Sequence, residues 1–290
     1  MRLRVVLTLS RISLLPTVWS NTMAGVALAG GSWRDFRIAP LLICLSLFYV
    51  GGMWLNDAFD HGFDERTRPE RPIPSGAIGA GLVFAWGFAM IGIGWLGLAG
   101  MGLWLPGGPM WIPALSGSAL AGSIVAYDAW HKGNPLGPVW MGCCRMLVVL
   151  TAALSITGVA SGSVVRGAIA LLGYIIGLTY CAKTHHFNRV ETIWPLGFLV
   201  LPILLGGTFI SRAPLTLVPL TVFTVWMVWS LLALVQGSEA ARTLGVMRLL
   251  AGISLLDAVL IASTRQPVLF IFSVMSFFLT LRLQRWIPGT

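Results

Sequence analysis

Residues 56 to 76 read NDAFDHGFDERTRPERPIPSG, and five of the chain's ten acidic residues fall within them. Asn56, Asp60 and Asp64 are spaced i, i+4, i+8, with Asp57 three residues before Asp60. At 3.6 residues per helical turn these groups share one stripe about two turns long. Like charges at that spacing repel, and partial desolvation makes the stripe costlier still. A divalent cation resolves both problems. Carboxylates and an amide oxygen are hard ligands that suit Mg²⁺, which takes one or two carboxylates together with substrate phosphates. The competing reading is a solvated charged loop in which acids and arginines pair.

Pro69, Pro72 and Pro74 stop the helix and hold the following backbone extended. Arg66, Arg68 and Arg71 are then available beside the acids, and a planar guanidinium fork suits phosphate oxygens. The stretch therefore predicts a metal–diphosphate site. A second polar stretch, AYDAWHKGNPLGPVWMGCCRML, offers Tyr127 as a hydrogen-bond donor and Lys132 as a point charge for phosphate. Each has a plainer reading, as an interfacial aromatic and an ordinary cytoplasmic lysine. Arg145 is harder to dismiss, because an arginine inside a span is costly and faces a polar cavity. His185 and His186 invite a metal, but adjacent histidines on a helix point about 100° apart. Asp257 is isolated in an apolar segment, with no partner legible in the sequence. The four cysteines include the adjacent pair Cys143 and Cys144 and have no CxxC spacing, so neither a disulfide framework nor zinc is expected.

The elements that position these groups are membrane helices. Of 290 residues, 57% are hydrophobic and 10% charged, and the mean hydropathy is +0.85. Soluble domains average roughly 25% charged residues. About 20 apolar residues cross the hydrocarbon core as a helix, and lipid admits only helices or closed barrels. No period-two alternation supports a barrel. The expected fold is all-α, a polytopic membrane bundle. Spans are expected at 12–31, 38–58, 77–104, 111–127, 138–160, 164–183, 193–211, 214–236, 245–262 and 267–284. The ninth carries Asp257 and could instead lie at the interface or re-enter. No linker divides the chain, so residues 1–290 are expected to form one membrane domain. MRLR followed by Ala27-Leu28-Ala29 resembles a signal peptide, but Arg11, Pro16 and Asn21 interrupt the apolar run, which reads as a retained first helix.

The formal charge of +9 does not call for nucleic acid. Thirteen of the nineteen Lys and Arg residues fall at the termini and in alternate loops, against five on the other side. With ten spans, the positive-inside rule places both termini and the Asp-rich loop in the cytoplasm, in an inner or plasma membrane. Eight of the ten acids also map to that side, which the rule does not require. One face is built for polar work.

NDAFDHGFD matches the pattern NDxxDxxxD, and with RPERPIPSG on a multi-helix chain it resembles the UbiA superfamily of intramembrane prenyltransferases. LSRISLLPTVWSN resembles that family's first helix, with Arg11 and Asn21, and YDAWHKG its tyrosine–lysine element. The latter is also similar to a divergent subgroup from ebo-type bacterial gene clusters. The motifs cover roughly residues 8 to 190. The resemblance implies nine to ten transmembrane helices around a central cavity open to the cytoplasm and to lipid. It implies a prenyl diphosphate held through Mg²⁺ and a small acceptor attacking the allylic cation. Asn56, Asp57, Asp60 and Asp64 would hold the metal, the three aspartates being catalytic. Asn21, Arg66, Arg71, Tyr127, Lys132 and Arg145 would meet the diphosphate. One departure stands out: where the family has its second Asp-rich motif, this chain has TYCAKTHHFNRVE. Glu191 is its one acid, and Thr184 or His185 stands where an aspartate is expected. That departure keeps a second class open, a non-catalytic binder or carrier of prenyl diphosphates or prenylated lipids. An ion-coupled transporter is the remote third, since no inverted repeat is evident.

Overall fold

The computed structural model describes residues 3–183, 194, 196–210, 213–235 and 238–287. Thr184, His185, His186 and Glu191, on which the second-motif question turns, lie outside the described residues. Among the described residues the secondary structure is helical: α1 (Leu3–Leu9), a 3₁₀ turn (Ile12–Leu14), α2 (Leu15–Leu28), α3 (Ile38–Phe59), α4 (His61–Thr67), α5 (Ala80–Trp104) and α6 (Ile112–Trp130). There follow α7 (Gly137–Thr157), α8 (Gly162–Lys183), α9 (Leu196–Gly207), α10 (Leu217–Val235), α11 (Glu239–Ala262) and α12 (Pro267–Gln284).

Seven helical segments among the described residues are long and apolar enough to cross a membrane: α3, α5, α7, α8, α10 with the 3₁₀ turn before it, α11 and α12. Each of the ten expected apolar segments is occupied by a helix, those at 12–28 and 196–207 being shorter than a full span. The chain is a polytopic membrane helical bundle. Residues 245–262 lie within one continuous helix that is long and apolar enough to cross a membrane. They belong to the 24-residue α11, the most buried of the seven.

Without a hydrophobic drive between helices in lipid, close packing rests on small residues. A Cβ on Gly51 would lie 2.8 Å from the Gly87 carbonyl oxygen, so α3 and α5 touch backbone to backbone. Gly25 does the same for α2 against Val149 of α7. Helix ends follow local chemistry. Gly158 takes φ +71° to close α7, and Ser238 caps α11 by accepting from the Ala241 amide at 3.2 Å. On the face away from the acidic stretch, Arg37 pairs with Asp35 at 2.7 Å and donates to the carbonyls of Gly107 and Ile156. It staples three connections together.

Candidate functional site

The acidic stripe forms as its spacing predicts, with one difference. Helix α3 ends at Phe59, Asp60 caps it, and α4 resumes at His61. The Asp60 amide donates to the Asn56 carbonyl at 3.0 Å and the Asp64 amide to that of Asp60 at 2.9 Å, so the i, i+4, i+8 register survives the break. Asn56, Asp57, Asp60 and Asp64 are all buried, none more than 7% exposed. Burial of this kind excludes a solvated loop.

The acids are nonetheless paired. One oxygen of Asp57 meets Arg11 at 3.2 Å and Arg71 at 3.5 Å, and Asp64 accepts from Arg71 at 2.7 Å. Asp60 accepts from Lys132 at 3.1 Å, with the His131 ring nitrogen at 3.5 Å. Burial alone would raise the Asp60 carboxyl. The His131 and Lys132 groups beside it more than offset that and hold it below the usual carboxylate value. Lys132 is further held over the Phe63 ring at 4.0 Å.

Two other elements complete the cluster. Asp128, on α6, is 3% exposed and accepts from the Asn56 amide nitrogen at 3.2 Å. Arg11 sits at the start of the 3₁₀ turn in the left-handed region, φ 39°. That strained conformation is over-determined by α3, as strain at working sites commonly is. The Tyr49 hydroxyl donates to the Arg11 carbonyl at 2.9 Å and the Trp54 indole to the Ser10 hydroxyl at 3.0 Å. Arg11, Asp128 and His131 fall outside the residue set that the sequence assigned. Asp128, His131 and Lys132 at i, i+3, i+4 carried a usable helical signal, whereas Arg11, 45 residues from Asn56, was marked only as part of the family-like first helix and not as a partner of the stripe.

Four buried carboxylates thus face three cations, Arg11, Arg71 and Lys132. One oxygen of Asp64 and one of Asp128 are buried without a hydrogen-bond partner among the described residues. Buried polar atoms of that kind call for an explanation. No group of three or more His, Cys, Asp or Glu among the described residues is gathered closely enough to hold a metal by itself.

Arg11, Tyr127 and Asp128 open onto a cavity of about 270 Å³. Its wall is otherwise largely apolar, with Phe48 of α3, Ile124 of α6, Val148 of α7, Leu178 of α8 and Leu250 of α11 among its lining. Tyr127 stacks on His131 with ring centroids 4.7 Å apart. Arg145 lines the same cavity, but its partner is Asn21 at 3.1 Å rather than the acidic stripe. Asn21 in turn binds Asp257. Arg66 is exposed, on α4, with no hydrogen bond or ion pair to a described residue. The structure therefore brings Asn56, Asp57, Asp60, Asp64, Arg71, Tyr127 and Lys132 together. Arg145, on the cavity wall, pairs separately with the fully buried Asn21, and Arg66 stands apart. A larger groove of about 600 Å³ between α10 and α12 is apolar apart from Thr221 and offers nothing to a polar ligand.

Comparison with known proteins agrees with this architecture. The UbiA prenyltransferase family model matches residues 14–267. The chain is 32% identical to the digeranylgeranylglyceryl phosphate synthase of Sulfolobus acidocaldarius over 142 residues, 48% of this chain and 46% of that one. It is 27% identical to the chloroplastic chlorophyll synthase of Arabidopsis thaliana over 206 residues, 66% of this chain and 50% of that one. The chain spans about half or less of the length of the curated relatives it matches. Among solved structures, a chain from work on digeranylgeranylglyceryl phosphate synthase in membranes superposes with TM-score 0.65 and 14% identity, covering 90% of this chain and 98% of that one. The apo UbiA homologue of Aeropyrum pernix K1 gives 0.62 and 16%, covering 84% and 96%. With a family model running from the 3₁₀ turn to the first residue of α12 and the same helical architecture in both solved neighbours, the chain belongs to the UbiA prenyltransferase family.

Proposed function

We propose that this protein transfers a prenyl group from a prenyl diphosphate to a small aromatic or lipophilic acceptor inside the membrane, in a Mg²⁺-dependent reaction. One observation carries the reading: Arg11, Tyr127 and Asp128 line a largely apolar cavity, and Arg11 and Asp128 are bonded to Asp57 and Asn56 of the buried polar stripe beside it. A diphosphate needs the polar groups and a prenyl chain needs the wall. The oxygen donors of Asn56, Asp57, Asp60, Asp64 and Asp128 are of the hard type a divalent cation takes, and one oxygen each of Asp64 and Asp128 is unpartnered. Because no three of the acids are gathered around one point, diphosphate oxygens would complete the cation's shell. Bound there, Mg²⁺ would supply positive charge to the leaving diphosphate.

The chain's own residues do the rest. Arg11, Arg71 and Lys132 donate to diphosphate oxygens as charge builds there. The allylic carbon–oxygen bond breaks, its electron pair leaves with the diphosphate, and the acceptor attacks the carbon and then loses a proton. The apolar wall keeps water from the carbocation, and the Phe48 ring on that wall would meet its positive charge. In this reading residues 1–290 act as one membrane domain, and both termini and the acidic face are cytoplasmic, as the arginine and lysine distribution favours.

A second reading is a non-catalytic binder or carrier of the same diphosphates. It is favoured by Asp57, Asp60 and Asp64 each being paired with a cation and by the lack of a three-ligand group among the described residues. Purified protein incubated with labelled prenyl diphosphates of several lengths, Mg²⁺ and a panel of acceptors separates the two. Diphosphate release that disappears in Asp60→Ala supports the transferase. Tight binding without turnover across the panel overturns it in favour of the carrier.

A further inference from the structure

Among the described residues, Asp257 is the one acid buried within the bundle away from the acidic stripe and its partners, and it is fully buried on α11. One carboxylate oxygen accepts from the Ser20 hydroxyl at 2.6 Å and from the Asn21 amide nitrogen at 2.7 Å. Ser254, one turn earlier on α11, meets the Ser20 hydroxyl at 2.9 Å. The other end of the Asn21 amide accepts from Arg145 at 3.1 Å. A carboxylate only accepts and a guanidinium only donates, so the amide has a single orientation that satisfies both. Asn21 is a polarised bridge between a buried carboxyl group on α11 and the Arg145 guanidinium on α7.

Arg145 does not end in that bridge. Its guanidinium lies 5.7 Å from the centre of the Tyr49 ring and lines the cavity, and Asn21 takes one of its five donors. Tyr49 in turn holds the carbonyl of Arg11, which binds Asp57. A chain of contacts therefore runs from Asp257 to the acidic stripe. An unpaired arginine on an apolar wall would swing toward any nearby acid or out to water. The bridge removes that freedom.

We propose that Asp257 is a positioning residue which, through Asn21, pins Arg145 on the cavity wall so that its remaining donors face the oxygens of the bound diphosphate. The inference rests on the prenyl diphosphate reading for its ligand, but the pinning itself does not. Three variants test it: Asp257→Leu, the charge exchange Asn21→Asp/Asp257→Asn, and the charge deletion Arg145→Gln/Asp257→Leu. The readouts are binding of a prenyl thiodiphosphate by calorimetry, kcat and KM, melting temperature, and modification of Arg145 by phenylglyoxal followed by mass spectrometry.

Asp257→Leu is expected to weaken thiodiphosphate binding by about tenfold or more, the scale of a lost charge-assisted hydrogen bond. It should raise KM more than it lowers kcat and increase phenylglyoxal labelling of Arg145. The charge exchange lets residue 21 bind Arg145 directly and residue 257 donate to it, and should restore binding and protection together. The charge deletion should recover melting temperature without recovering binding. A merely structural pair would recover both. Recovery of binding in the charge deletion, or wild-type labelling of Arg145 in Asp257→Leu, overturns the proposal. Should the wild-type chain bind no prenyl thiodiphosphate yet protect Arg145 in the Asp257-dependent way, the function reading fails and the pinning stands.

Discussion

Asp57 shares one oxygen between Arg11 and Arg71, at distances too long to be two ideal ion pairs. Buried pairs of this kind return little net stability, because desolvation offsets the Coulomb gain. Breaking one side is different. Arg71→Ala would leave Asp64, 1% exposed, without its cation. A cost of about 3–5 kcal/mol is expected on the scale of broken buried pairs, seen as a large fall in detergent melting temperature. Arg66→Ala changes an exposed side chain on α4 and should leave both melting temperature and thiodiphosphate affinity within error. The contrast decides which arginine of the RTRPER run belongs to the site. The acid stripe was legible because its members lie within nine residues and obey one helical period. The bonds from Arg11 to Asp57 and from Asn21 to Asp257 were not, since 46 and 236 residues separate the partners. No local pattern encodes contacts made by tertiary packing.

At the scale of elements, α2 sets the approach of the two buried charges. Gly25 lies one turn beyond Asn21, on the same side of α2, and its Cα meets the Val149 carbonyl of α7. Gly25→Leu should push α2 off α7, at a cost of about 1–3 kcal/mol for overpacking. Because Asn21 moves with it, phenylglyoxal labelling of Arg145 should rise in parallel. The far face yields a pH prediction. Its bonds from Arg37, opposed by burial, hold the Asp35 carboxyl below the usual 3.8. A depressed folded value contributes stability that is complete above the unfolded value and lost as pH falls through the folded one. Melting temperature should therefore decline below about pH 4, and Asp35→Asn should flatten that acid limb. The helices themselves were readable from apolar length. The break at Asp60 was not, because the residues on both sides of it continue the helical period.

At the scale of the whole molecule, the uneven charge makes a statement about sidedness. With native cysteines replaced, Ser161→Cys in the α7–α8 connection should react with an impermeant maleimide on intact cells. Ser75→Cys, after the acidic stretch, should react only once the membrane is opened; the reverse pattern would invert the assigned orientation. The pairing in the stripe beside the cavity has a thermodynamic consequence. Arg71 and Lys132 already hold carboxylates, so an arriving anion does not find waiting charge and must exchange partners with Asp64 and Asp60. Each exchange frees carboxylate oxygens just where a divalent cation would want them. If diphosphate and cation both bind as proposed, they are heterotropically linked, each tightening the other by the same factor, as reciprocity requires. In that reading, either one offered alone meets acids and cations already committed to each other.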